Sequence, residues 1–210
     1  MSVRHHPADA ILAAYAAGSL RPGFDIVCAA HLESCPRCRS HVRLFQDAAG
    51  GLLSQQRPVE LSAEALPRMM ARLEREPAPQ GEVHRDRDRR PIAERLPVKR
   101  RRWLGPGLWV QPIDIPQRPG DRAYFLRVPA GLRGIEHSHT GTEFTVVLKG
   151  ALKDEGEVYR AGDFVECDDA VHHQPSAGSE DGGCLCLIAT EGSLVTKDWF
   201  SNLIRSAAGV

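Results

Sequence analysis

Two periodicities divide the chain. Over roughly its first eighty residues, apolar side chains recur at the 3.6-residue period of amphipathic helices; beyond Trp103 they fall into short runs that suit strands. The Ala-rich stretch from Asp9 to Gly18 puts Ile11, Leu12 and Tyr15 on one face and ends at a glycine, which predicts a first helix. Phe24, Ile26, Val27 and Leu32 belong to a second, running into Cys35. A third begins at Pro36, a residue suited to the first helical position, carries Val42, Leu44 and Phe45, and is expected to stop at Gly50 and Gly51. A fourth follows Ser62, with Leu66, Met69, Met70 and Leu73 at i, i+3, i+4 and i+7; Pro67 must then lie in its first turn.

The later runs are Leu108–Ile115, Ala123–Val128, Phe144–Leu148, Asp163–Cys167 and Cys184–Ala189. Gly and Pro turns separate them at about ten-residue spacing, as in an all-β sandwich or barrel. The pattern therefore predicts an α+β chain of two domains. A small helical module covers residues 1–80 and an all-β domain covers 103–210. Between them, 81–102 contains few apolar residues, follows Pro77 and Pro79, and reads as a flexible basic linker.

Charge sharpens this division. The 210 residues carry 27 Lys and Arg against 27 Asp and Glu. Residues 1–80 hold 9 basic and 8 acidic side chains, 81–102 hold 9 and 4, and 103–210 hold 9 and 15. The positive charge of Arg85–Arg90 and Lys99–Arg102 is interrupted by acids and lacks interleaved aromatics, so no direct DNA binding is expected. No apolar run reaches membrane-spanning length, and the first residues lack an apolar signal core, which predicts a cytoplasmic protein without membrane association. In that compartment six cysteines point to metal or redox chemistry instead of disulfides.

The metal donors have telling spacings. In His31-x3-Cys35-x2-Cys38, the two cysteines are spaced as in a zinc knuckle, and His31 lies one helical turn before Cys35. His5 or His6 offers a fourth ligand, and spacing leaves the two equal. Such a staple suits a helical module too small for a large core. The competing reading is a Cys35–Cys38 redox dithiol with surface histidines. Further on, His137 and His139 alternate on a strand and point to one face, with Glu143 returning to it after a turn. Two imidazoles and a carboxylate make a first-row transition-metal site, which a histidine from His172-His173 would complete. Cys28 reads as a core residue and His41 as a residue of a solvated face; Cys184 and Cys186, and Cys167 similarly, read as core residues first, with a sulfur ligand or redox role as the alternative.

The first motif, with its upstream histidine and four helices, resembles the zinc-binding anti-sigma domain of bacterial transcription regulators, and the resemblance favours His6 as the fourth ligand. The second, Gly131-x5-His137-x-His139-x3-Glu143-x6-Gly150, is similar to the first motif of the cupin superfamily, a double-stranded β-helix barrel. The second cupin motif retains Ala161-Gly162-Asp163, has Arg160 where a proline is usual, and selects His173 over His172. Together the halves resemble the ChrR group of anti-sigma factors. That resemblance implies a protein that inhibits an extracytoplasmic-function (group IV) sigma factor in a 1:1 complex and releases it on oxidative stress, by singlet oxygen or organic hydroperoxide, sensed through the cupin. It also implies Zn2+ on His6, His31, Cys35 and Cys38. A second divalent metal, zinc foremost with manganese, iron or nickel as alternatives, would sit on His137, His139, Glu143 and His173. The alternative function is a 3-His/1-Glu cupin dioxygenase or hydroperoxide-processing enzyme.

Overall fold

The computed structural model describes residues 3–75, 90–116, 120–169, 173–179, 182–192 and 194–196. Among the described residues, five helices precede the strands: α1 (Asp9–Ala16), α2 (Pro22–Ser34), α3 (Pro36–Ser54), α4 (Ala65–Arg75) and α5 (Ile92–Arg95). A Schellman pair closes α1, with Ser19 N donating to the Ala14 carbonyl and Gly18 N to that of Tyr15. Pro22 and Pro36 each open a helix in its first turn, where no backbone donor is needed. Cys35 separates α2 from α3 in extended backbone, and its Sγ accepts from Cys38 N at 3.4 Å, capping α3. Pro67 falls in the first turn of α4, as the pattern requires.

One expectation is corrected. Gly50 and Gly51 do not stop α3, which runs on to Ser54. Each glycine costs a helix interior about 1 kcal/mol relative to alanine, a penalty that weakens a helix without ending it. Neither adopts a positive φ here. Of the stretch expected to be a linker, residues 81–89 lie outside the described residues. Its later part carries α5, whose Ile92 N donates to Glu33 Oε1 at 2.8 Å, and a bridge between Val98 and Ile113.

The strands are β1 (Arg102–Gly105), β2 (Leu108–Pro112), β3 (Arg122–Pro129), β4 (His137–His139), β5 (Glu143–Asp154), β6 (Glu157–Arg160), β7 (Phe164–Cys167), β8 (Ser176–Ala177), β9 (Gly183–Thr190) and β10 (Leu194–Thr196). One antiparallel sheet runs β1-β2-β3-β9-β5-β6, with β7 and β8 also on β5; β4 pairs with β10 in a second. The fold is thus a helical N-terminal region followed by an antiparallel cupin-like β domain. A bulge in β5 between Val147 and Lys149 shifts its register. Gly150 follows at φ 77°, where a Cβ would fall 1.9 Å from the Gly183 carbonyl oxygen, so the motif glycine is sterically required.

Alternation sorts the sheet into two faces. Tyr124, Val128, Val147, Cys184, Cys186 and Ile188 pack together on one, with the Cys184 and Cys186 Sγ atoms 4.0 Å apart. Ala123, Phe125, Phe144, Val146, Leu187 and Ala189 occupy the other, where Phe24, Val27, Cys28 and Ala30 of α2 cover them. Phe24 lies against Phe144 with ring centroids 4.3 Å apart. Burying Phe24 and Val27 contributes roughly 1.5–3 kcal/mol each. Arg21, just before α2, forms ion pairs with Asp121 and Glu191 of the β domain. A third apolar group, Leu12, Leu32, Cys35, Cys38 and Val42, fills the space between α1, α2 and α3.

Because Leu187 is fully buried where α2 meets the sheet, Leu187→Ala should destabilise the protein by about 2–5 kcal/mol. Denaturant unfolding followed by far-UV circular dichroism checks this; a midpoint unchanged from wild type would contradict the shared core.

Candidate metal centres

The turn from α2 into α3 brings four donors together. The ligand atoms of His6, His31, Cys35 and Cys38 all lie within 4.8 Å of one another. His6 Nδ1 is 3.4 Å from both the Cys35 and the Cys38 Sγ. A tetrahedral ion with bonds of about 2.05 Å to nitrogen and 2.3 Å to sulfur would set that edge at roughly 3.5 Å. His31 is fully buried, its Nδ1 donating to the Gly162 carbonyl at 2.8 Å, while its Nε2 is buried without a hydrogen-bond partner. That orphaned nitrogen beside two thiols is what a metal ligand looks like, and the donor set suits zinc.

Electrostatics agrees with the geometry. Burial pushes His31 down to about 4, so the imidazole is neutral and free to coordinate. Burial also lowers His6, with the nearby Arg37 adding to it. Burial, followed by the hydrogen bond to Cys35, pushes the Cys38 thiol up to about 12. A thiolate here needs a cation beside it, and a bound divalent metal supplies one. His5 points elsewhere: its Nδ1 is 3.2 Å from Asp163 Oδ2 and its ring lies against Tyr159. His6 is therefore the member of the pair that faces the cluster.

The second group of donors lies in the β domain. His137 opens β4, and its backbone exchanges two hydrogen bonds with that of His173. Their Nε2 atoms are 3.1 Å apart, between the roughly 3.0 Å of octahedral and roughly 3.4 Å of tetrahedral neighbouring positions with bonds of about 2.1 Å. Each ring is fixed from behind, His137 Nδ1 bonding the Ile135 carbonyl at 2.7 Å and His173 Nδ1 the Asp154 carboxylate at 2.5 Å. The two Nε2 atoms face one another, turned away from these anchors. Asp154, Cys167 and His173 themselves form a tight donor group, with Cys167 Sγ 3.9 Å from His173 Nδ1.

Glu143 is buried at the start of β5, with Thr145 Oγ1 donating to its Oε1 at 3.3 Å. Burial pushes its carboxyl up to about 7, partly offset by the charge of His173. Burial also lowers His137. For His173, burial alone would lower the pKa, but the Asp154 hydrogen bond and charge outweigh it and hold the ring above its ordinary value. The backbone of His139 continues β4 opposite Leu194, while its side chain, like all of His172, lies outside the described residues.

Of the residues singled out from sequence, His6, His31, Cys35 and Cys38 meet in one cluster, and His137 and His173 meet in another beside Glu143. Cys28 is buried in the core shared by α2 and the sheet, while His41 is half-buried and bonds Asp9 at 3.0 Å. Asp154 and Cys167 are additions that sequence reasoning did not assign to the site. Among the described residues, no helix is long and apolar enough to cross a membrane.

Comparison with known proteins agrees with both halves. Residues 97–193 match the family of the ChrR cupin-like domain. The chain is 36% identical to the anti-sigma-E factor ChrR of Cereibacter sphaeroides over 215 positions, covering 98% of each sequence. It is also similar to a chain in the crystal structure of Rhodobacter sphaeroides SigE in complex with the anti-sigma ChrR. There the TM-score is 0.74 at 34% identity, covering 90% of this chain and 100% of the other.

If Asp154 orients His173 toward a metal, Asp154→Asn should weaken metal binding by the β domain by about 10–100-fold. Competition against a chromogenic chelator measures this, and an unchanged affinity would remove Asp154 from the site.

Proposed function

The chain belongs to the ChrR family of anti-sigma factors, and on that premise we propose that it binds and inhibits an extracytoplasmic-function (group IV) sigma factor as a 1:1 complex. The observation that carries this reading is the uncovered face of α4. Leu66, Met69, Met70 and Leu73 lie on one side of that helix and are between 51% and 67% exposed; Leu52 and Leu53 at the end of α3 are exposed as well. Apolar residues grouped on a helix face in this way mark a surface built for a partner. Methionine in the middle lets such a face adapt to the groove that receives it. The crystal structure of a similar chain with a sigma factor supports the identity of that partner.

Division of labour follows the two halves. Residues 1–80 form the sigma-binding domain, with zinc on His6, His31, Cys35 and Cys38 holding α1, α2 and α3 in register. Residues 103–210 form the sensor, its divalent metal held by His137, His139, Glu143 and His173, and 81–102 connect the two. Zinc is favoured in the sensor as well, with manganese, iron or nickel accepted by the same donors. Oxidative stress, as singlet oxygen or an organic hydroperoxide, acts at the sensor and releases the sigma factor. The place of action is the cytoplasm, where sigma factors meet polymerase. The dioxygenase alternative rests on the His137, His139, Glu143 and His173 set alone and gives the α4 face no role.

Co-purification with the cognate sigma factor should yield a 1:1 complex by size exclusion. Leu66→Asp with Met70→Asp should weaken it by about 30-fold or more, the equivalent of losing one hot spot of ~2 kcal/mol. Cys38→Ser should abolish binding, whereas His137→Ala should bind normally and fail to release on peroxide treatment. A double aspartate variant that binds at wild-type affinity by titration calorimetry would exclude α4 as the interface.

A further inference from the structure

The turn between β6 and β7 reaches out of the β domain and touches the N-terminal segment on both sides of the zinc cluster. Asp163 is only 2% exposed. Its Oδ1 accepts from Arg4 N at 2.7 Å and His5 N at 3.1 Å, and its Oδ2 accepts from Arg160 N at 2.8 Å. Phe164 N donates to the His5 carbonyl at 3.1 Å, so the residue immediately before His6 is tied to the start of β7. On the other side, the Gly162 carbonyl accepts from His31 Nδ1. Gly162 has φ 94°, and a Cβ there would come within 2.9 Å of Val3 Cγ2 and 3.1 Å of Ser34 Cβ. The turn can approach this closely only because it lacks a side chain.

We propose that Gly162 and Asp163 are positioning residues for the helical region's metal, through which the β domain controls how fast that metal is lost. This rests on reading His6, His31, Cys35 and Cys38 as a metal site. Gly162 fixes the His31 ring so that Nε2 faces the cluster, and Asp163 clamps the backbone from which His6 projects. Groups that orient metal ligands from behind are worth 10–100-fold in affinity. The same strand links the two centres: β7 begins one residue after Asp163 and ends at Cys167, whose Sγ is 3.9 Å from His173 Nδ1. A displacement of β7 at the sensor pocket therefore moves the turn that seats His6 and His31.

The test is the rate at which the zinc-loaded full chain surrenders to 4-(2-pyridylazo)resorcinol the zinc equivalent that Cys35→Ser removes, so that zinc held at the β-domain site is not counted. Asp163→Ala should accelerate release about 10-fold or more, and Asp163→Asn, which keeps an acceptor for Arg4 N and His5 N, should restore most of the wild-type rate. Arg21→Ala breaks the separate ion pairs to Asp121 and Glu191 and should leave release unchanged. Equal acceleration by Arg21→Ala and Asp163→Ala would overturn the proposal in favour of general loosening, as would a wild-type rate in Asp163→Ala. Should Asp163→Ala fail to fold by circular dichroism, the test passes to Asp163→Glu, which keeps the charge but displaces the carboxylate; wild-type release from it overturns the proposal and faster release supports it. A wild-type chain that holds no zinc, or holds it equally well after Cys35→Ser, overturns the metal-site reading itself and the proposal with it.

Discussion

Phe125, Phe144, Val146 and Leu187 give the β domain an outer face too apolar to leave in water, and α2 is the element that covers it. Burial of this kind is favourable at about 25 cal/mol per Å2 of apolar surface removed from water. The rest of the arrangement depends on that contact. Once α2 lies on the sheet, His31 at its end is carried to the Gly162 carbonyl, and Cys35 and Cys38 follow at the turn into α3. The segment before α1 then closes over the cluster with His6. A helical region that would have a thin core alone shares one with its neighbour.

The two donor clusters solve different problems with similar residues. The first is assembled mostly from a short run of sequence, three of its four donors lying within eight residues. Burial works against the Cys38 thiolate, so the metal and the fold support each other. The second draws on β4, β5, β7 and the segment carrying His173. Its groups do not all shift alike: burial raises Glu143 to about 7 and lowers His137, while the Asp154 hydrogen bond and charge raise His173 against the effect of burial. Charge in that pocket is consequently shared among its members.

Local features were legible in the sequence, and non-local ones were not. The spacing of His31, Cys35 and Cys38 encodes a helix turn directly, and strand alternation locates the core positions of β3 and β9. Asp154 escapes because simple alternation from Glu143 places it on the opposite face of β5. The bulge between Val147 and Lys149 reverses that parity and returns Asp154 to the His173 side. Gly50 and Gly51 misled for the opposite reason, since a local penalty was tolerated by a long helix. The packing of α2 on the sheet depends on matching two distant apolar faces, which no single window of residues contains. The choice of His6 over His5 came from the family resemblance; the structure explains it by the engagement of His5 with Asp163.

The uncovered face of α4 also bears on how long the chain survives. A helix whose apolar residues are mostly exposed gains little from burial, so it opens locally at small free-energy expense. Proteases act on such transient openings in proportion to their population. The molecule is accordingly most vulnerable to degradation when α4 is bare, and whatever occupies that face prolongs the lifetime of the chain it covers.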